Sequence, residues 1–97
     1  LISINTHIFF ISKNTQIFIR DLCTSVGKTF NVIIDEKDTF EEFKTMVEKK
    51  LGLPAKNQRY TFNAKHVEDG INFREFLGEE IFKEGWCNMN LYYKYSF

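Results

Sequence analysis

The sequence predicts an α+β domain in which one long amphipathic helix packs on one face of a mixed β-sheet. Three observations carry this. Apolar and polar residues alternate, with the period of a half-buried strand, over residues 16–20, 29–34 and 89–95. Residues 39–51 have helical spacing of apolar side chains, with a start signal before them and a stop signal after. A short loop containing Gly27 joins the first two strands, which makes them a hairpin.

In the first strand Ile17 and Ile19 share one face, and Gln16, Phe18 and Arg20 share the other. The turn is expected around Thr24-Ser25-Val26-Gly27, where glycine tolerates a positive φ. The second strand places Phe30, Val32 and Ile34 on one face. The helix opens on Thr39-Phe40-Glu41-Glu42, a capping box: the Thr39 hydroxyl accepts from one free amide and Glu42 reaches back to another. Phe40, Phe43, Val47 and Leu51 fall on one stripe. Lys49 and Lys50 suit the negative end of the helix dipole, Gly52 stops the helix and Pro54 prevents its resumption.

After the helix, residues 59–62 read as a short strand, Asn63-Ala64-Lys65 as a tight turn and His66-Val67 as a very short strand ended by Glu68-Asp69-Gly70. Phe73, Phe76 and Leu77 add apolar weight in a less regular stretch. In the last strand Met89, Leu91 and Tyr93 alternate with Asn90, Tyr92 and Lys94. Residues 1–15 are read as an N-terminal extension and residues 16–97 as the domain.

The chain has 97 residues, 43% of them apolar and eleven of them Phe, enough for one small core. Thirteen basic residues balance thirteen acidic ones, so no net field favours nucleic acid or acidic lipid, and neither is expected as a partner. No apolar stretch approaches the roughly 20 residues that span a bilayer, so direct membrane insertion is not expected. The two cysteines, Cys23 and Cys87, lie far apart without metal-ligand spacing and are read as free thiols of a reducing, intracellular compartment. The first segment lacks the basic start of a signal peptide and the Arg-rich pattern of a transit peptide. Its run Ile8-Phe9-Phe10-Ile11 is too apolar for a solvated tail, so the segment is expected to dock, as an added strand or across a partner.

From Gln16 to about Lys94 the ordered set of short motifs resembles the ubiquitin-like family. Gln16-Ile17-Phe18 opens as ubiquitin does after its Met. Gly27-Lys28-Thr29 is similar to the end of its first hairpin. Asp38-Thr39 with Glu41 and Lys44, Gly52-Leu53-Pro54, Asn57-Gln58-Arg59, Phe62, Lys65 and Glu68-Asp69-Gly70 follow in the family's order. The resemblance implies a β-grasp fold and a role in binding proteins. It also implies matches to chain-bearing lysines at Lys28, Lys44 and Lys65, which are candidate modification sites but are read first as ordinary surface lysines.

The departures shape the functional expectation. Conjugation in the family runs through a C-terminal Gly-Gly, whereas the last residues here are Tyr92-Tyr93-Lys94-Tyr95-Ser96-Phe97. The double Tyr resembles the ending of a ubiquitin-like splicing modifier that is never conjugated. The family's outer-face patch of Leu, Ile and Val beside a His corresponds to Leu22, Thr61, Tyr92 and Asn90. Exchanging Ile for Thr removes apolar contact, and full burial of such a side chain is worth about 1.5–3 kcal/mol. Tyr92 supplies a larger amphipathic surface instead. Partner binding is therefore expected through Leu22, Thr61, Asn90 and Tyr92, with Arg59 and Lys94 at the rim and Tyr95 and Phe97 as further aromatic anchors. The stretch from Gly78 to Cys87 is longer than its family counterpart, and its Trp86 is read as core or semi-buried packing. Phe18 and Ile33 share the outward face and form a candidate second contact patch.

No residue set supports catalysis. Cys23 has neither His7 nor His66 tied to it by a motif, the Glu41-Glu42 and Glu79-Glu80 pairs read as surface charge, and no Gly-rich phosphate loop follows a strand. No enzyme activity, cofactor or metal is expected. The chain is read as a non-covalent protein-interaction module, in the manner of a small structural subunit of a larger assembly. The alternative is a conjugatable modifier, or the modifier part of a fusion, whose Gly-Gly end is not in this chain.

Overall fold

The computed structural model describes residues 14–22 and 28–93. Expectations placed on the first segment, on Cys23, on the turn at residues 24–27, on Lys94 and on the terminal aromatics Tyr95 and Phe97 lie outside the described residues. The elements run β1 (Asn14–Asp21), β2 (Thr29–Asp35), α1 (Phe40–Leu51), a 3-10 turn (Ala55–Asn57), β3 (Gln58–Phe62), β4 (Lys65–His66), α2 (Phe73–Leu77), α3 (Glu79–Glu84) and β5 (Trp86–Tyr93).

The strands form one five-stranded sheet in the order β2-β1-β5-β3-β4. β1 runs parallel to β5, and the other neighbours are antiparallel, so the sheet is mixed and the fold α+β as the sequence predicts. Asn14 and Thr15, assigned to the extension from sequence, are the first rungs of β1, opposite Asp35 and Ile34.

α1 begins where the capping box predicts. The Thr39 hydroxyl accepts from the Glu42 amide at 3.1 Å, and the Thr39 amide donates to the Glu42 carboxylate at 2.9 Å. It ends at Gly52, which takes the left-handed conformation (φ 78°) and donates to the Glu48 carbonyl at 2.7 Å. Phe40, Phe43 and Val47 are buried with Ile17, Ile19, Val32, Ile34, Tyr60, Met89 and Leu91 in a core between helix and sheet. Phe30 is half-buried at its margin. Leu51 does not continue the stripe: it is 41% exposed, because it occupies the last turn, where the chain leaves through Gly52.

Polar groups inside the core are paired with one another. The buried Gln58 amide donates to the carbonyls of Lys44 (2.9 Å) and Leu53 (3.0 Å), and its oxygen accepts from the Tyr60 hydroxyl at 2.7 Å. This ties the middle of α1, the loop after it and β3 together. Burial, and secondarily the neighbouring Tyr93, raises the Tyr60 pKa far above its ordinary value, so its hydroxyl stays a donor. The Thr15 hydroxyl is buried and has no partner among the described residues.

The stretch read as irregular folds into two short helices. Asn72 caps α2 by accepting from the Glu75 amide at 3.1 Å. Phe73 then stacks into Phe40 and Phe43, with ring centroids 5.3 Å away in both cases. α3 buries Phe82 and stops at Gly85, whose carbonyl accepts from the Gln16 amide at 2.9 Å. That bond starts the parallel pairing of β5 with β1, so β5 begins at Trp86 rather than at Met89.

Candidate functional site

The face of the sheet opposite α1 is built by strand parity. Alternation along β1 turns Gln16, Phe18 and Arg20 outward while Ile17 and Ile19 enter the core. Along β5 it turns Trp86, Asn88, Asn90 and Tyr92 outward while Cys87, Met89 and Leu91 turn inward. Registry aligns these positions into rows. Gln16 lies between Ile33 and Trp86, Phe18 between Asn31 and Asn88, and Arg20 between Thr29 and Asn90, with Thr61 and His66 continuing the last row. Arg59 faces Tyr92 across the β3–β5 pair. The Leu22 amide donates to the Leu91 carbonyl at 3.1 Å, which sets Leu22 beside Tyr92 on the other side.

All five residues expected to bind a partner, Leu22, Arg59, Thr61, Asn90 and Tyr92, therefore meet at one end of one face. Leu22 is 40% and Tyr92 37% exposed; the other three are half-buried. The other end carries a second apolar cluster. Phe18 meets the edge of the Trp86 ring at a centroid distance of 6.4 Å, and Ile33 stands 53% exposed one strand away. Trp86 is 48% exposed, which corrects the expectation of a core or semi-buried plug. It follows Gly85 directly and has the parity opposite to the buried Cys87–Met89–Leu91 alternation, so the pleat aims it outward. Sequence reasoning found Phe18 and Ile33 but not this third member; the parity of β5, extended back to Gly85, is the signal that would have found it.

Two arginines stand on the outer face. Arg20 and Arg59 lie on the outward rows and make no ion pair among the described residues. Asp35, at the far corner opposite Asn14, is the carboxylate that shares their parity; Asp21 turns inward, where it accepts from the Tyr93 hydroxyl at 2.8 Å. The remaining acidic residues lie in loops and helices. Among the described strand residues, the Leu22–Tyr92 end thus presents aliphatic, aromatic, amide and guanidinium groups on its outward positions.

The candidate lysines separate. Lys28 and Lys65 are exposed, but Lys44 is buried. Its ammonium pairs with Asp69 and lies 4.7 Å from the centroid of the Phe40 ring, one turn earlier. Lys44 is therefore not the ordinary surface lysine the sequence suggested: its stem completes the helix packing and the Asp69 loop holds its charge. Among the chemically reactive groups, Cys87 is a buried free thiol, and burial pushes its pKa up to about 12, which leaves it protonated and unreactive at neutral pH. Among the described residues no group of three or more His, Cys, Asp or Glu side chains is placed to hold a metal ion. Among them too, no helix is long and apolar enough to cross a membrane. A search of the sequence against protein-family models finds no match.

Proposed function

We propose that this chain is a ubiquitin-like domain of the β-grasp type that works as a non-covalent protein-binding module, without catalytic activity or cofactor. Its binding site is the Leu22–Tyr92 end of the outer sheet face. The fold reading is supported by the hairpin that feeds a single long helix, by the parallel β1–β5 pair at the sheet centre, and by the ordered motifs of the sequence. The functional reading rests chiefly on one observation: Leu22, Tyr92, Arg59, Thr61 and Asn90 are brought side by side on an open surface with no carboxylate among them. A large aromatic beside a guanidinium is the composition favoured at the energetic centre of interfaces.

The face differs from the aliphatic patch of conjugated modifiers in that Thr61 replaces an aliphatic side chain and Tyr92 enlarges another. A partner selected by such a surface reads an aromatic ring and a guanidinium rather than three aliphatic groups. The test is a photo-reactive phenylalanine analogue at position 92, with the same group at Lys49, on the exposed side of α1, as control. Position 92 is expected to give a discrete adduct from native extract and position 49 none. The unmodified protein should co-purify with the same partner natively and part from it under denaturing conditions. Tyr92→Ala should weaken capture about thirtyfold, equivalent to about 2 kcal/mol. Equal adducts from both positions, or full capture by the alanine variant, would place the interface elsewhere; a partner that stays attached after denaturation would favour the conjugated alternative.

A further inference from the structure

One margin of the sheet is β2. β1 pairs with it on one side, and among the described residues no strand lies on the other. Which of its groups face that side follows from one bond. The Asp21 amide donates to the Lys28 carbonyl at 3.0 Å, so the doubly bonded rungs of the β1–β2 ladder are those of Phe30, Val32 and Ile34. The N–H and C=O groups of Thr29, Asn31, Ile33 and Asp35 therefore point away from β1, out of the sheet edge.

Such an edge is a template for a further strand. Residues 30–34 include no charge, glycine or proline, which suits them to pairing. The strand is also complementary to itself. A twofold axis at Val32 would set Asn31 opposite Ile33 and Thr29 opposite Asp35 of a second copy. All the edge-facing residues would then find main-chain partners, and no like charges would meet.

Two side chains already occupy groups that this pairing needs. The Lys50 ammonium, from the last turn of α1, donates to the Asn31 carbonyl at 2.6 Å. Lys50 borders a shallow groove of about 390 Å³ between α1 and β2, lined also by Val32, Ile33 and Met46. The Asp38 carboxylate accepts from the Asp35 amide at 2.8 Å. Both bonds end on residues that the ladder parity turns toward the edge. Neither is required by the helix, whose ends are capped by Thr39 with Glu42 and by Gly52. We propose that Lys50 and Asp38 guard the edge of β2 and keep the chain from pairing through it with a second copy. In a symmetric pair each guard acts twice, once from each copy. A second β2 must displace both before its own amides and carbonyls can bond, and the displaced groups gain nothing in return.

The test is sedimentation over a concentration series at neutral pH, together with hydrogen exchange of the β2 amides followed by NMR. The parent chain is compared with Lys50→Met, Asp38→Ala, and with the same pair of changes plus Ile33→Pro. Methionine keeps an unbranched apolar stem at position 50, and circular dichroism checks each fold. Proline at position 33 removes an edge-facing amide that no β1 rung uses, so it closes the edge by other means. The parent should be monomeric, with fast exchange at Asn31 and Ile33 and slower exchange at Asp35. The double variant should self-associate about tenfold more tightly or better, and its Asn31 and Ile33 amides should gain protection as concentration rises. Adding Ile33→Pro should return it to a monomer. A folded double variant that associates no more tightly than the parent would overturn the proposal. So would association that Ile33→Pro leaves intact, which would move the contact to another face. Asn31 and Ile33 amides protected in the dilute parent would overturn it too, because the edge would already be covered.

Discussion

Thr15 is the residue whose chemistry fits its place least well. Its hydroxyl is buried at the start of β1, facing the core, and finds no partner among the described residues. An unmet buried hydroxyl costs about 1–3 kcal/mol. Thr15→Val keeps the branched shape and removes the polar atom, so it is expected to raise the urea midpoint, by about 1 kcal/mol in stability. A lowered midpoint would mean that a residue outside those described supplies the missing bond. Cys87 gives a second expectation, through pH. Its pKa in the folded chain is raised from 9.0 to about 12 by burial. Below pH 9 the thiol is protonated in both states and stability is unaffected. Above it the unfolded chain releases the proton while the folded chain keeps it, so stability falls as pH rises toward 12, by at most about 1.4 kcal/mol per pH unit. Tyr60, raised in the same direction by burial, adds to the fall above pH 10. Cys87→Ala should flatten the urea midpoint between pH 9 and 10, where tyrosine still contributes little; an unchanged slope would mean that the thiol does not titrate differently on folding.

Among the elements, α1 carries the largest single test. Phe43 is fully buried between Phe40, Tyr60 and Phe73, with ring centroids 5.0–6.2 Å away. Phe43→Ala is expected to cost about 3–5 kcal/mol, since neighbours of that rigidity collapse little into the space. A loss of a few tenths in a denaturant titration would contradict the packing. This helix was legible in the sequence because its signals are local: Thr39 and Glu42 bond across four residues, and Gly52 needs only its own φ. The strands were legible to within a few residues for a similar reason, since Ile17, Ile19, Val32 and Ile34 declare the pleat. What escaped has non-local causes. α2 and α3 are too short to show a period, and they are held by Phe73 and Phe82 reaching a core that other segments build. The burial of Lys44 depends on Asp69, twenty-five residues on. Trp86 is outward only because β5 starts at Gly85's bond to Gln16, and an apolar side chain carries no mark of which side of a sheet it will face. The Leu22–Tyr92 cluster was anticipated through resemblance and alternation together; neither alone sets Arg59 opposite Tyr92.

At the scale of the molecule, a chain of zero formal charge still sets two arginines on its outer sheet face. The helices and loops carry most of the acids, among them Glu41, Glu42, Glu75, Glu79 and Glu80, together with Lys37, Lys49, Lys50, Arg74 and Lys83, while Arg20 and Arg59 on the sheet face make no ion pair among the described residues. If the proposed site binds a partner, these arginines act first on encounter: a partner with acidic groups would associate faster, whereas burial of the Tyr92 ring would set how long the complex lasts. The two contributions are separable once the partner captured at position 92 is in hand. Arg59→Glu should slow association by more than tenfold at low salt, and the gap should narrow as salt approaches 0.5 M, where screening falls below about 5 Å. Tyr92→Ala should leave association nearly unchanged and speed dissociation by about thirtyfold, the kinetic form of about 2 kcal/mol. Surface-immobilised chain and a salt series resolve both. If Arg59→Glu associates as fast as the parent at low salt, the Arg59 charge plays no part in recognition. If Tyr92→Ala dissociates no faster, the partner rests on neighbouring groups of the face, and Leu22 is the next side chain to truncate.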